Sequence, residues 1–189
     1  MAYFHRGQIR YIKREFDRAL TDFSAAIVLN PVDASTYYNR GVTKFAKWDL
    51  EGSVEDFTSA IERKPSYATA FYNRGVALQA QGRIEAAISD FNTAIRINPR
   101  YAESYNNRGA ARQEQGKLEE ALRDYNAALR IDPGYSEVYA NRGLLWLLIG
   151  RDREAQADFN RFLRMNKGRA QELAERISRV RTERAARVK

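Results

Sequence analysis

The chain has no cysteine, one histidine (His5) and only four prolines in 189 residues. Without cysteine there is neither a disulfide framework nor a thiolate metal site. One histidine cannot build a multi-histidine metal centre, and no Ser-His-Asp arrangement recurs in a plausible context. No phosphate loop of the GxxxxGK[ST] type occurs. Carboxylate pairs such as Glu119-Glu120 read as ordinary helix-surface charges. No enzymatic activity, metal or cofactor is therefore expected. Long apolar runs are also missing. The longest, Leu144 to Ile149, falls far short of the roughly 20 residues that span a bilayer, so no membrane insertion is expected. Met1 leads straight into repetitive sequence with no tripartite leader. Together with the absent cysteines, this makes a cytoplasmic protein the default expectation.

The four prolines are the most informative feature that is present. Pro31, Pro65, Pro99 and Pro133 each lie 34 residues from the next. The same step carries Tyr37-Tyr38-Asn39-Arg40-Gly41 onto Phe71-Tyr72-Asn73-Arg74-Gly75, Tyr105-Asn106-Asn107-Arg108-Gly109 and Tyr139-Ala140-Asn141-Arg142-Gly143. An altered first copy reads Tyr3-Phe4-His5-Arg6-Gly7. A fixed period of this length identifies a solenoid, in which each unit buries its apolar face against its neighbours.

One period reads as two helices. In residues 68–101, Phe71, Gly75 and Leu78 share a face of a first helix running to about Gln81, which Gly82 ends. Ile84 to Ile97 forms a second helix with Ala87, Phe91, Ala94 and Ile95 as its stripe, stopped by Asn98-Pro99. Glycines at 7, 41, 75, 109 and 143 lie mid-helix, where each costs about 1 kcal/mol against alanine. Close helix contact is the natural reason. The second helix alternates small residues with an aromatic (Phe23, Phe57, Phe91, Tyr125 or Phe159), as an interlocking core requires.

These residues resemble the tetratricopeptide repeat family, whose pattern is aromatic, two residues, Leu-Gly, then Ala, three residues, aromatic and a closing Pro. The resemblance covers residues 1–169 as five units, 1–33, 34–67, 68–101, 102–135 and 136–169. It implies an all-α, right-handed superhelical α-solenoid of antiparallel helix pairs. Residues 170–189 then read as a capping helix with a basic tail.

Departures from the pattern are informative. Arginine replaces the leucine before every glycine, at 6, 40, 74, 108 and 142, and aspartate precedes every core aromatic, at 22, 56, 90, 124 and 158. One Arg and one Asp per unit suggest a repeated ion pair, between the two helices or between neighbouring units. The alternative is an arginine ladder facing an acidic ligand. Trp48 stands where later units have glycine, Ser53 replaces an alanine, and the fifth unit has Lys167 in place of the closing proline.

The net charge of +8 is unevenly placed, because residues 167–189 hold eight Lys/Arg against three Asp/Glu. In that segment Leu173, Ile177 and Val180 fall at i, i+4 and i+7, matching a packing face, while Arg176, Arg179, Arg181, Arg184 and Arg187 lie largely elsewhere. Residues 170–180 should be helical and cover repeat five, with 181–189 less ordered. The run Leu144 to Ile149 makes the fifth unit's first helix apolar all round, so it needs a further cover, either the tail or a second protein.

In this family the first helices line the concave groove. The resemblance therefore places one asparagine per unit there, Asn39, Asn73, Asn107 and Asn141, together with Phe4, Tyr38, Phe45 and Tyr72. Helices pack roughly 8–10 Å apart and an extended peptide advances about 3.3 Å per residue, so one amide would meet about every third ligand residue. Local hydrogen bonding between adjacent helices is the competing reading. The expected function is a non-catalytic interaction scaffold that holds an extended peptide or a helix of a protein partner in the groove. The alternative is a basic accessory protein contacting nucleic acid or an acidic partner through its carboxy-terminal arginines. Self-association through the array ends is a third reading.

Overall fold

The computed structural model describes residues 1–187, the side chain of Arg187 excepted; Val188 and Lys189 lie outside the described residues. Helices and turns make up these residues, with no strand among them. The chain falls into two compact units, one spanning Met1–Pro99 and one beginning at Arg100. The first holds three helix pairs: α1 (Ala2–Ile12) with α2 (Phe16–Leu29), α3 (Ala34–Ala46) with α4 (Leu50–Arg63), and α5 (Ala68–Ala80) with α6 (Ile84–Ile97). The second holds α7 (Ala102–Glu114) with α8 (Leu118–Ile131), and α9 (Ser136–Leu148) with α10 (Asp152–Met165). A 3-10 turn, Lys167–Arg169, then leads into α11 (Ala170–Arg187). Within each unit, a pair's first helix packs on the second helix of the pair before it. The sample period thus forms the two helices expected of it, the first ending one residue early with Gln81 as its cap.

Each helix pair reverses through one residue in the left-handed region: Arg14 (φ 61°), Trp48 (65°), Gly82 (76°), Gly116 (75°) and Gly150 (83°). Glycine adopts this backbone freely, whereas another L-residue bears about 1–2 kcal/mol. The turn closes in the same way regardless of the side chain. Trp48 N donates to Phe45 O at 2.9 Å, as Gly82 N does to Gln79 O at 2.9 Å.

The mid-helix glycines sit directly against the core aromatics. A Cβ added at Gly7, Gly41, Gly75, Gly109 or Gly143 would lie 2.6–2.9 Å from a ring carbon of Phe23, Phe57, Phe91, Tyr125 or Phe159. No methyl fits there. The five rings are 0–4% exposed, so the interlock is the core of each pair.

Beside every glycine an arginine fastens the two helices together. Arg6–Asp22, Arg40–Asp56, Arg74–Asp90, Arg108–Asp124 and Arg142–Asp158 approach to 2.6–2.7 Å, with aspartate side chains only 1–8% exposed. The fork is bidentate, with Nε and Nη2 donating to the two carboxylate oxygens. The third arm reaches the preceding pair. Nη1 of Arg40 donates to Ser24 at 3.2 Å, that of Arg74 to Thr58 at 3.0 Å, and that of Arg142 to Asn126 at 2.6 Å. The pairing is therefore within each helix pair, with a polar staple to the neighbour. It occupies the guanidinium that an arginine ladder would have offered to a ligand.

The last pair departs from the others on its outer side. The second helices α2, α4, α6 and α8 begin with Phe16, Leu50, Ile84 and Leu118, all half-buried, where α10 has exposed Asp152. Four residues on, Leu20, Val54, Ile88 and Leu122 become exposed Gln156. On that side α10 keeps Leu163, the equivalent of Leu129, but loses these two apolar positions. Accordingly α11 packs chiefly along α9, covering the helix whose run Leu144 to Leu148 demanded it. Leu173 is buried, and Ile177 and Val180 pack inward with it against Ala140, Leu144 and Leu147. The helix continues to Arg187, past the end expected at residue 180, because Arg184 ties it to Leu147 O (3.3 Å) and Asp152 (2.7 Å).

Candidate functional site

In the first unit, three rings of the expected groove lie on the core aromatic of their own pair. Phe4 sits 6.2 Å from Phe23, Tyr38 5.8 Å from Phe57 and Tyr72 6.0 Å from Phe91, centroid to centroid. All three remain half-buried, as does Phe45, whose neighbour is the exposed Trp48 at 6.4 Å. Each ring is thus packed in part and open in part. Burial pushes the Tyr38 phenol above its ordinary value, and hydrogen bonding with Thr69 and Asn73 opposes the shift.

The asparagines split between the two expected roles. Asn39 Nδ2 donates to Ser35 O at 2.8 Å in its own helix. Asn73 Nδ2 donates to the Tyr38 hydroxyl at 2.7 Å, bridging α5 to α3. In the second unit Asn141 Nδ2 donates to Asn106 Oδ1 at 3.0 Å, bridging α9 to α7, while Asn106 Nδ2 donates to Asn107 Oδ1 at 3.0 Å. Two of the four amides therefore join successive first helices. The structure brings together Asn73 with Tyr38, and Asn107 with Asn141 through Asn106. Phe4 and Phe45 have their ring neighbours elsewhere, in His5 and Phe23 and in Trp48.

One participant was misplaced by pattern reading. Arg176, expected on the outward face of the tail, points inward. Its Nη1 donates to Glu137 at 2.7 Å and its Nη2 to Asn141 Oδ1 at 2.6 Å. Arg169 pairs with the same glutamate at 2.9 Å. A signal for this existed, since one more 34-residue step from Arg142 lands on Arg176. With α11 as one wall, the second unit encloses a 390 Å³ cleft lined by Gln113, Glu114, Tyr125, Asn141, Leu144 and Arg176, among others. Tyr125 is fully buried, donates to Gln113 Oε1 at 3.1 Å, and has its phenol pushed up by that burial. Two of the tail arginines, Arg176 and Arg184, are thus committed to intramolecular carboxylates.

No group of His, Asp and Glu side chains among the described residues is placed to hold a metal ion. Nor is any helix long and apolar enough to cross a membrane.

Tetratricopeptide repeat models match residues 4–68 and 102–135, and a related TPR repeat model matches residues 80–116. The chain belongs to the tetratricopeptide repeat family. Solved structures share the fold of this tetratricopeptide repeat chain over nearly its full length. PilF of Pseudomonas aeruginosa is 19% identical with a TM-score of 0.83, covering 97% of this chain and 85% of its own. TTC0263, a thermophilic TPR protein of Thermus thermophilus, is 25% identical with a TM-score of 0.72, covering 95% and 97%. YrrB, a TPR protein with an unusual peptide-binding site, is 21% identical with a TM-score of 0.74, covering 94% and 90%. Comparison with curated protein sequences finds no match.

Proposed function

We propose that this tetratricopeptide repeat protein is a non-catalytic interaction scaffold whose first helices hold an extended peptide or a helix. The observation that carries this reading is the state of the first unit's groove columns. Asn39 and Asn73 spend their Nδ2 donors locally and have carbonyl oxygens to spare. Beside them Phe4, Tyr38, Phe45 and Tyr72 keep part of each ring open. An amide oxygen accepts a hydrogen bond from any peptide N–H, so it holds a backbone without selecting a sequence. The rings supply pockets for an apolar anchor, the usual source of hot-spot energy. Asn107 and Asn141 stand at the equivalent positions of the second unit, where their amide oxygens accept from Asn106 and Arg176. YrrB, which carries a peptide-binding site on the same fold, supports the reading.

A randomised peptide library selected against the full chain supplies probes, and fluorescence anisotropy reads them. The double variant Asn39→Ala/Asn73→Ala is expected to weaken selected peptides about tenfold, and Tyr38→Ala by more, at about 2 kcal/mol or above. Peptides that bind both variants as they bind the wild type place the site elsewhere and refute the proposal. The nucleic-acid alternative predicts a steep loss of oligonucleotide binding with salt.

A further inference from the structure

The helix α11 lies on the groove columns of the last pair, and its contacts define a ligand. By the 34-residue step, Ser35, Tyr38, Asn39, Val42 and Phe45 of the first unit correspond to Glu137, Ala140, Asn141, Leu144 and Leu147 on α9. These are the residues that α11 engages. Leu173, Ile177 and Val180 pack against Ala140, Leu144 and Leu147. Arg176 donates to Glu137 and to the ladder oxygen of Asn141.

A repeat's own first helix would dock differently. The residues of α9 that meet the preceding α8, Val138 and Leu145, are 0% exposed. Their equivalents one step on are Glu172 and Arg179, and both are exposed on α11. Nor does Arg176 make the link to the previous second helix that Arg142 makes to Asn126. In α11 the repeat's interior scheme is abandoned, and the helix sits where the groove reading puts a ligand.

We propose that α11 is a tethered occupant of a helix-binding site on α9, and that a partner's amphipathic basic helix exchanges with it. The proposal rests on the groove reading above and names the ligand for the second unit. That ligand is a helix with aliphatic side chains at i, i+4 and i+7 and an arginine at i+3, the pattern of Leu173, Arg176, Ile177 and Val180. Glu137 gives the charge complementarity, since two arginines converge on it at 2.9 and 2.7 Å. The docking is light enough to exchange. Among the described side chains of α11, Leu173 alone is fully buried, and the clamping arginine side chains are 26–39% exposed, so salt screens them. While α11 is docked, a competing helix sees only the fraction of molecules in which it has lifted.

The test uses the full chain and a fluorescent peptide of residues 170–187 as the probe. The variant Leu173→Asp/Ile177→Asp releases α11 from its seat. It is expected to bind the probe at least about tenfold more tightly than the wild type. Adding Glu137→Gln should reverse much of that gain. Equal binding to wild type and release variant overturns the proposal, as does tighter binding indifferent to Glu137→Gln. A release variant that instead becomes a dimer shows the face taking a second copy, and also overturns it. Should the double variant aggregate, Arg176→Ala keeps the apolar contacts and serves instead. Hydrogen exchange in α11 should then speed up about tenfold with α9 unchanged, and probe binding should rise; no change in either overturns the proposal. Peptides selected on Asn39 and Asn73 report on the first unit separately. Their continued binding, with the probe failing, removes this inference and leaves the groove reading standing.

Discussion

Substituting alanine at Gly75 sets two well-measured effects against each other. In an exposed helix the change would stabilise by about 1 kcal/mol through helix propensity. Here the new methyl would meet Phe91 Cε1 at 2.7 Å, Cδ1 at 3.0 Å and the Ala87 carbonyl oxygen at 3.2 Å. Carbon contacts are comfortable at about 3.5–4.0 Å, so the ring must retreat by close to ~1 Å. It has nowhere to go, being 0% exposed and packed against Tyr72. The Ala87 oxygen belongs to the backbone and cannot rotate away. Overpacking of this kind costs about 1–3 kcal/mol, which leaves a net destabilisation of about 0–2 kcal/mol after the propensity gain. Urea unfolding followed by circular dichroism measures it through the shift in midpoint at constant slope. A double variant with Phe91→Leu, which shortens the obstructing side chain, should be less destabilised than the sum of the singles by at least about 0.5 kcal/mol. A Gly75→Ala protein stabilised by the full propensity gain of about 1 kcal/mol refutes the close-contact account. Strict additivity with Phe91→Leu would place the strain somewhere other than the ring.

Three further outcomes follow from the geometry. Replacing Arg74 and Asp90 singly and together should show a coupling of about 0.5–3 kcal/mol in a denaturation cycle; additivity would mean the bidentate pair is not energetically joined. Trp48→Gly should stabilise by about 1 kcal/mol, because it relieves a left-handed tryptophan that is already 71% exposed and loses only the contact with Phe45. A lower thermal midpoint for that variant would show the indole packing to outweigh the backbone strain. Hydrogen bonding from Arg6 holds the Asp22 carboxyl below the usual carboxylate range. The stability it contributes is therefore present above the unfolded value of about 3.9 and is lost as pH falls through the lower folded value. Asp22→Asn should flatten the acid limb of the α1–α2 melting profile; an unchanged limb would assign acid sensitivity to other groups.

Much of the fold could be read from the residues because one spacing imposed the same constraint several times over. Gly75 opposite Phe91, and Arg74 with Asp90, are each one instance of a contact repeated in every pair, and repetition separates packing from coincidence. The third arm of the arginines was illegible for the opposite reason. Its acceptors are Ser24, Thr58 and Asn126, which share an oxygen but no residue type. The asparagine ladder could not be resolved either, since an amide donates and accepts equally well. Only the structure tells that Asn73 turns its donor to Tyr38. For α11 the stripe Leu173, Ile177 and Val180 correctly named the buried side. It could not reveal which helix lay beneath, because aliphatic side chains pack as well on α9 as in the cleft beyond it. The inward turn of Arg176 followed from that choice of seat.

The polar outer side of α10 bears on something larger than one molecule. A stack of like hairpins has no internal reason to stop, and head-to-tail contacts that do not close on themselves grow into filaments. Propagation needs an accepting surface, which in α2, α4, α6 and α8 is a row of aliphatic and aromatic side chains. At the same places α10 offers a carboxylate, Asp152, and an amide, Gln156. Seating another hairpin there would either strip Asp152 of Arg184 or bury the pair with it, and dehydrating such charges costs several kcal/mol per ion. Asp152 and Gln156 thus weigh against growth of a stack through this edge.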